Sequence, residues 1–346
     1  MNKRIKSKHL QPAEKTKQPA SKQPAMIRSD FFPNAFPVDI SKVFPMIVLA
    51  TMSSGKSTLV NAMLESEVLP SKNEACTAKV YSILDDDSRN DATLYVRDKL
   101  RNVSTYTENI PSVLEKANNS DDITDIFIAG QIKSVLNTDK SLLVIDTPGP
   151  NNASDETHEQ ITMKVLGKVY GGLILYLINA TQIGINDDKL FISKVAEHLK
   201  KHPRLKIVFV INKIDMLDPE KEPAKMYVDN VRNYVSECGI SDPEVIPVSA
   251  LGANLFRKAL SGERLTRLQA RSFDILYETF RSRDLRMKSF AVTKELEAQS
   301  NTVIVGGEEY LVSDIQAAID NTGVPYLEHY IQNAQILSSK KKGRDV

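Results

Sequence analysis

Three consecutive residues, Gly55, Lys56 and Ser57, are the part of the sequence best suited to phosphate chemistry. They follow an apolar run at 46–50 and open a segment with helical apolar spacing at 59–64, which predicts a strand, a tight loop and a helix. The N–H groups at the start of such a helix face phosphate oxygens, because the helix dipole is positive there. Lys56 can reach the β- and γ-phosphate oxygens, and the Ser57 hydroxyl can ligate Mg²⁺.

The loop departs from the pattern G-x-x-x-x-G-K-[ST] at its first position, which is Ala50. Alanine tolerates a positive φ poorly, so either the backbone at Ala50 has ordinary dihedrals or the loop is strained. The triplet by itself also fits a polar turn that caps a helix. The rest of the chain must therefore decide between the two interpretations.

A second apolar run, within 141–149, is typical of a strand buried in a parallel sheet and delivers Asp146 at its end. An aspartate in that position can hold Mg²⁺ through water, and the backbone N–H of Gly149 can meet a γ-phosphate. Upstream, Thr77 precedes a strand-like run at 78–84. Its hydroxyl can join the Mg²⁺ ligands, which would order the loop when a triphosphate is bound.

A third apolar run, 205–212, ends in Asn212 and Lys213, with Asp215 two residues later. The Asp215 carboxylate can accept two hydrogen bonds from the N1–H and N2–H₂ groups of guanine, a pattern that adenine does not offer. The stem of Lys213 can lie along the ring. This segment therefore predicts guanine as the base.

The next strand-like run ends in Ser249 and Ala250, whose backbone N–H can meet the O6 atom of guanine. Strand-like and helical segments alternate along the chain from the first strand onward. This alternation predicts an α/β protein with a mostly parallel sheet of six or more strands and helices on both faces.

Other segments carry weaker signals. Residues 85–91 fit a hairpin turn, with 92–97 returning as an antiparallel edge strand, and the aspartates at 85–87 fit a solvated turn better than a metal site. Residues 104–138 are predicted to hold two helices. His158 fits a solvated or loop-ordering residue better than a catalytic base.

Composition limits the class of protein to which this chain can belong. The 346 residues are 41% hydrophobic and 26% charged, which suffices for a full core. No run approaches the roughly 18 consecutive apolar residues of a membrane span, and no apolar signal segment follows the basic start, so a cytoplasmic protein is expected. Cys76 and Cys238 lack metal-ligand spacing.

Residues 1–28 carry eight Lys and Arg against the single Glu14, a charge of +7. Residues 1–38 are predicted to form a disordered basic arm, because they offer few large apolar side chains. A solvated tail is the simpler interpretation. Attachment to anionic lipid, DNA or the ribosome is the functional alternative.

Four ordered signatures resemble those of translation-factor-class GTPases: 53–57, 146–149, 212–215 and 248–250. Within that class, the loop at 51–62, the segment at 68–77 and Pro150 after Gly149 resemble bacterial members of the dynamin superfamily. The resemblance implies a P-loop GTPase domain at 39–338 that binds GTP or GDP with Mg²⁺.

On that resemblance, Ser53 helps to neutralise charge between the β- and γ-phosphates, and Thr77 positions the attacking water. Ser54 and Thr58 complete the phosphate-binding set. Pro150 stands where many small GTPases have a water-orienting glutamine. Intrinsic hydrolysis is therefore expected to be slow unless a partner, or a second copy across the nucleotide face, completes the site.

The resemblance also implies a helical insertion at 262–300, a closing helix at 325–337 and a short basic tail at 339–346. Dynamins normally continue into a helical stalk and a membrane-binding tip, for which little of this chain remains. Membrane remodelling is therefore not predicted. A peripheral position at a membrane surface stays open as an alternative without direct support from the sequence, and a nucleic-acid partner is not expected.

The leading hypothesis is a Mg²⁺-dependent GTP hydrolase in which Lys56, Ser57 and Ser53 stabilise charge and Thr77 positions the nucleophile. A second hypothesis is a GTP-gated binding or scaffold module with little turnover, whose output is homodimerisation or docking to a companion dynamin-like protein. A third is a ribosome- or RNA-associated GTPase that uses the basic arm.

Overall fold

The computed structural model describes residues 25–50, 53–69, 79–89, 91–148, 156–182, 186–218, 223–282 and 301–340. The strands are β1 (Val43–Ala50), β2 (Val80–Asp85), β3 (Thr93–Asp98), β4 (Val103–Tyr106), β5 (Ile123–Gly130), β6 (Ser141–Asp146), β7 (Gly171–Asn179), β8 (Arg204–Asn212), β9 (Glu244–Pro247), β10 (Thr302–Val305) and β11 (Glu308–Leu311). The helices are α1 (Lys56–Leu64), α2 (Ile110–Asn118), α3 (Glu156–Leu166), α4 (Asn186–Lys201), α5 (Ala224–Glu237), α6 (Ala250–Leu260), α7 (Arg267–Ser282), α8 (Val312–Asn321) and α9 (Val324–Lys340).

Within these residues, nine strands form one sheet in the order β4-β3-β5-β2-β6-β1-β7-β8-β9. Strands β6, β1, β7, β8 and β9 are parallel neighbours, so their C-terminal ends meet along one side, called here the carboxyl edge. Strand β2 is antiparallel to β6 and parallel to β5. The predicted mostly parallel sheet of six or more strands is confirmed.

Helices cover both faces of this sheet. Along β1, alternate residues belong to two separate apolar clusters, as expected when successive side chains of a strand point to opposite faces. One cluster includes buried residues of α3, α4 and α5, and the other includes residues of α1, α2 and α9. The strands of the parallel set are therefore buried on both sides, which explains their continuous apolar runs.

Three predictions between β2 and β6 are wrong. Residues 85–91 do not form a hairpin turn, because β5 lies between β2 and β3 in the sheet. The second helix predicted within 104–138 is instead strand β5, whose Ile-Thr-Asp-Ile-Phe-Ile segment is rich in β-branched residues and is paired on both sides. Strand β3 is not an edge strand, because it lies between β5 and β4 and is antiparallel to both. The short β4 forms that end of the sheet.

The structure also corrects the predicted disordered arm over residues 25–38. Ile27 forms an antiparallel bridge with Val169, and the rings of Phe31, Phe32 and Phe36 are buried. All three rings contact Phe127 of β5, with centroids 6.1, 6.5 and 5.4 Å away. Aromatic burial therefore offsets the entropy that is lost when this segment becomes ordered. Residues 1–24 lie outside the described residues.

After β9 the chain is mainly helical, with one hairpin. Of the predicted insertion at 262–300, residues 267–282 form α7, and 283–300 lie outside the described residues. The hairpin β10–β11 and helix α8 follow, and α9 extends past the predicted closing helix at both ends. No helix in the described ranges combines the length and the apolar character needed to cross a bilayer.

Two polar side chains expected in solvent are buried. Asp85 is fully buried at the end of β2 and accepts a hydrogen bond from the Ile132 N–H at 2.7 Å. It is buried because β2 is an interior strand, while the turn itself begins at Asp86. His158 in the first turn of α3 is 8% exposed, so it is not a solvated residue.

Candidate functional site

The loop between β1 and α1 turns at Ser53 and Gly55, not at Ala50. Ser53 has φ 56° and Gly55 has φ 83°, whereas Ala50 has no positive φ and is the last residue of β1, paired in register with Leu177 of β7. The missing glycine of the sequence pattern is therefore unnecessary here. Ser53, exposed, takes the left-handed conformation instead.

Gly55 is required both by its dihedrals and by its surroundings. A Cβ atom built on Gly55 would lie 2.4 Å from the Asn212 amide nitrogen and 4.0 Å from the Lys213 Cε atom. Gly55 also precedes α1 and offers no side-chain cap. The first N–H groups of a helix lack partners within the helix, so those of α1 are open to an anion.

Lys56, the first residue of α1, forms an ion pair across the loop with Asp146 at the end of β6. Its Nζ atom lies 2.6 Å from Asp146 Oδ1, and the two side chains are only 13% and 7% exposed. Burial raises the pKa of the Asp146 carboxyl, and the facing Lys56 ammonium opposes that shift. The predicted phosphate-binding lysine and the predicted metal-binding aspartate are thus brought together.

Asn212, at the end of β8, connects the loop to the start of α6. Its Nδ2 atom donates to the Ser54 carbonyl at 2.7 Å, and its Oδ1 atom accepts from the Ala250 N–H at 3.0 Å. The side chain is 2% exposed. Asn212 therefore fixes the orientation of the backbone that enters α1.

Asp215 lies in a single helical turn, Ile214–Met216, directly after Lys213, which has φ 64°. The Asp215 Oδ1 atom is buried and makes no hydrogen bond to the described residues, and the same is true of Ser54 Oγ. A buried acceptor without a partner is costly, at about 1–3 kcal/mol. A ligand that donates to Asp215 would remove that cost, which fits the edge of a guanine ring.

The backbone N–H groups of Ser249 and Ala250, predicted to meet the O6 atom of guanine, donate to protein acceptors in this structure, and their contact with a base stays a prediction. The Ser249 N–H donates to the Thr322 carbonyl at 2.8 Å, and the Ala250 N–H donates to Asn212. The Ser249 hydroxyl caps α6 by accepting from the Gly252 N–H at 3.1 Å. These groups hold the loops around the site together.

Sequence reasoning missed three supporting side chains. Asn179, at the end of β7, has its Nδ2 atom 3.5 Å from the Ser53 carbonyl. The Thr147 hydroxyl donates to the Val48 carbonyl, and the Thr162 hydroxyl of α3 donates to the Pro148 carbonyl, both at 3.0 Å. Asn179 carried the same signal as Asp146 and Asn212, a polar residue at the end of a buried strand.

Thr77, Gly149 and Pro150 lie outside the described residues, but their flanks are defined. The buried Lys79 ammonium donates to the carbonyls of Ala117 and Asn118 at 2.6 Å, which binds the end of α2 to the chain that follows 70–78. Thr162 holds the chain before 149–155 in the same way.

A magnesium ion fits the donor set of Ser57 and Asp146, since Mg²⁺ prefers hydroxyl and carboxylate oxygens and takes its remaining ligands from water and phosphate. The described residues contain no group of three or more His, Cys, Asp or Glu side chains that could hold a metal unaided. A binding site for Mg²⁺ at this loop would therefore be completed by the nucleotide.

The fold and the site together define a GTPase-type α/β domain. The model of the dynamin family matches residues 46–214, just under half of the chain, from within β1 to beyond Asn212. Residues 46–214 of this chain are therefore similar to the dynamin family. A sequence search of curated proteins gives no match.

Solved structures show more distant likenesses. Two structures of an oligomerised bacterial dynamin pair, described as a mechanism for long-range sensing and tethering of membranes, are 18% and 17% identical, with TM-scores of 0.46 and 0.45. Each comparison covers 87% of this chain but 44% and 43% of the other, so this chain spans less than half the length of those proteins.

Era from Aquifex aeolicus, bound to GDP and AlF4⁻, is 20% identical with a TM-score of 0.34, over 69% of this chain and 67% of Era. At TM-scores below 0.5, none of these likenesses assigns an activity or a partner to this chain.

Proposed function

We propose that this protein binds GTP at the carboxyl edge and hydrolyses it with Mg²⁺ by in-line attack of water on the γ-phosphate. The observation that carries the proposal is the convergence of three features on one loop. These are the uncapped start of α1, the buried pair of Lys56 and Asp146, and the Asn212 link to the Ser54 carbonyl.

Lys56 and Asp146 would change partners when the triphosphate binds. The Lys56 ammonium would turn from the carboxylate to the β- and γ-phosphate oxygens, which form stronger charge-assisted hydrogen bonds as charge develops. Asp146, together with the Ser57 hydroxyl, would then hold Mg²⁺. When bound, the ion neutralises charge on the transferred phosphoryl group.

Asp215 would select guanine. Its buried, unpartnered Oδ1 atom supports this role, because the N1–H and N2–H₂ groups of guanine supply the missing donors. The Lys213 stem, whose Cε lies close to Gly55, would cover one face of the ring. Thr58, the third residue of α1, would add its N–H to the phosphate set.

Turnover would depend on a second copy, or a companion of the same family, across the carboxyl edge. Support comes from exposed groups there: Ser53 is exposed, Met216 beside Asp215 is 64% exposed, and Leu251 beside Ala250 is 41% exposed. Apolar side chains in contact with water around a nucleotide site favour association. Thr77 would position the water, and Ser53 would share the charge between the phosphates.

Turnover of GTP measured against protein concentration tests this proposal. Specific activity should rise with concentration and then level off. Negligible activity at every concentration, with GTP still bound, would favour the scaffold alternative. Lys56→Ala should abolish nucleotide binding, and unchanged GTP binding in that variant would refute the assignment of the phosphate site.

Base selection is tested by Asp215→Asn, with Asp218→Asn as the matched control three residues away. An amide at 215 donates to a carbonyl at position 2 of the base, so the variant should lose GTP affinity and gain affinity for xanthosine triphosphate. The control should keep the preference for GTP. Equal GTP affinity in both variants would refute the assignment of Asp215.

A further inference from the structure

A cavity of about 380 Å³ lies between the turn that joins β3 to β4, the start of β5 and one face of α3. Its volume is within the range of small-ligand sites, about 300–1,000 Å³. Val80, the first residue of β2, and Phe31 of the N-terminal segment complete the wall. This basic pocket shares none of the residues assigned to the nucleotide site.

Cationic side chains dominate the basic pocket. Five line it, namely Arg97, Lys99, Arg101, Lys164 and Lys168, against two carboxylates. Arg97 lies within 4.0 Å of a carboxylate. The ammonium or guanidinium groups of the other four lie farther than 4.0 Å from every carboxylate of the described residues.

The acidic groups near the basic pocket are already engaged. Asp125 pairs with Arg97 at 3.0 Å. Asp98 accepts two hydrogen bonds from Asn102 at 2.8 Å, and Asp30 beside the pocket pairs with Arg28 at 2.9 Å. Five cations against two carboxylates leave a net charge of +3 on the lining of the basic pocket.

Two of the cations are held in place by packing. The Arg97 guanidinium donates to the Phe31 carbonyl at 3.2 Å and lies 4.9 Å from the centre of the Phe127 ring. The Lys168 ammonium lies 5.9 Å from the Phe31 ring centre. Burial lowers the pKa of Lys168, the Asp30 charge opposes that shift, and the charges of Arg97, Arg101 and Lys164 add to it. A bound anion would relieve this repulsion.

We propose that the basic pocket binds a phosphate group. Four cations that line one half-open cavity favour a compact, multiply charged anion, because several charge-assisted hydrogen bonds can then form at once. The phosphate could belong to a soluble molecule or to the headgroup of an anionic lipid. Both sources present the same chemistry, and experiment separates them.

The first test is calorimetric titration of inorganic phosphate into the full chain saturated with GDP and Mg²⁺, at low ionic strength. The variant Lys99→Gln/Lys164→Gln removes two exposed cations from opposite walls of the basic pocket. Lys200→Gln/Lys201→Gln removes the same charge from the end of α4 and is the matched control. The pocket variant should bind phosphate about tenfold more weakly, since charge-assisted contacts are lost, and the control should match the unmodified protein.

The second test adds phosphatidylcholine vesicles with and without phosphatidic acid. Cosedimentation that requires phosphatidic acid and is lost only in the pocket variant would identify a lipid headgroup. Phosphate binding without cosedimentation would identify a soluble ligand. Because the unmodified protein and both variants keep residues 1–24, these basic residues contribute equally to each measurement.

The proposal is overturned if the GDP-saturated protein binds neither phosphate nor the vesicles, or if the pocket and control variants bind equally. GDP affinity should be the same in all variants. A failure of phosphate binding therefore leaves the nucleotide site untouched, and the two proposals fail separately.

Discussion

Replacement of Asn212 by alanine is the most direct test of how the phosphate loop is held. The Asn212 carboxamide joins the Ser54 carbonyl, at 2.7 Å, to the Ala250 N–H, at 3.0 Å. Alanine at 212 leaves one buried acceptor and one buried donor without partners. It also opens space below Gly55, whose built Cβ would contact this side chain.

The expected loss of stability follows from those two backbone groups. A buried backbone group that loses its only partner costs about 1–3 kcal/mol, so the pair predicts a loss of roughly 2–4 kcal/mol of folding free energy when some water enters. The peptide before Gly55 would also lose its fixed orientation. We expect GDP and GTP affinity to fall by about tenfold or more, equivalent to about 1.4 kcal/mol or more of binding free energy.

Asn137→Ala is the matched control. Its side chain also joins one backbone carbonyl and one backbone N–H, those of Asp85 at 3.2 Å and Leu142 at 3.0 Å, but at the opposite end of β6. Urea denaturation should show a loss of stability in both variants, and fluorescent GDP titration should show weakened binding only for Asn212→Ala. Wild-type GDP affinity in a destabilised Asn212→Ala protein would refute the role of Asn212.

Two further predictions concern buried charges. Burial raises the pKa of Asp85 to about 7, above an unfolded value of 3.8, so the free energy of unfolding should fall as pH rises from about 4 to 7. In urea titrations, Asp85→Asn should flatten that slope and raise the free energy of unfolding at pH 8 by a few kcal/mol at most. An unchanged slope would contradict this prediction. Arg257 pairs with Glu328 at 2.6 and 2.8 Å, so Arg257→Ala should lower the free energy of unfolding by about 3–5 kcal/mol. Arg281 forms an exposed pair with Glu278, so Arg281→Ala should lower it by less than about 1 kcal/mol. Equal shifts in the melting temperature of the two variants would contradict this prediction.

The parallel part of the sheet could be predicted because its signals are local. Each strand is a continuous apolar run, and Asp146 and Asn212 mark the ends of two of them. Parallel strands that cross over through helices must end on the same side, so the sequence also predicts that these side chains converge. The contact of Lys56 with Asp146 follows from that topology.

The remaining structure depended on contacts that the sequence does not display. Strand β5 looks helical in isolation because its alternation is imperfect, and pairing with β2 and β3 decides its conformation. Phe31, Phe32 and Phe36 lie in a proline-containing stretch, and they are buried because they pack against Phe127 of β5 and, for Phe36, also against Tyr95 of β3. The internal use of the Ala250 N–H was equally hidden, since it depends on the rotamer of Asn212.

The N-terminal segment leaves the fold far from the phosphate loop. The Ala25 carbonyl accepts from Arg204 at 3.4 Å, and Met26 packs against Gly171, so the segment departs beside the first residues of β7 and β8. Gly171 and Asn179 are the first and last of the nine residues of β7, so this point lies roughly 26 Å from Asn179 at about 3.3 Å per residue. A dye or an affinity handle placed ahead of residue 25 would thus join the fold at the amino ends of the parallel strands, opposite the carboxyl edge. Protein immobilised through that end keeps the carboxyl edge open to nucleotide from solution, which suits surface-based kinetic measurements.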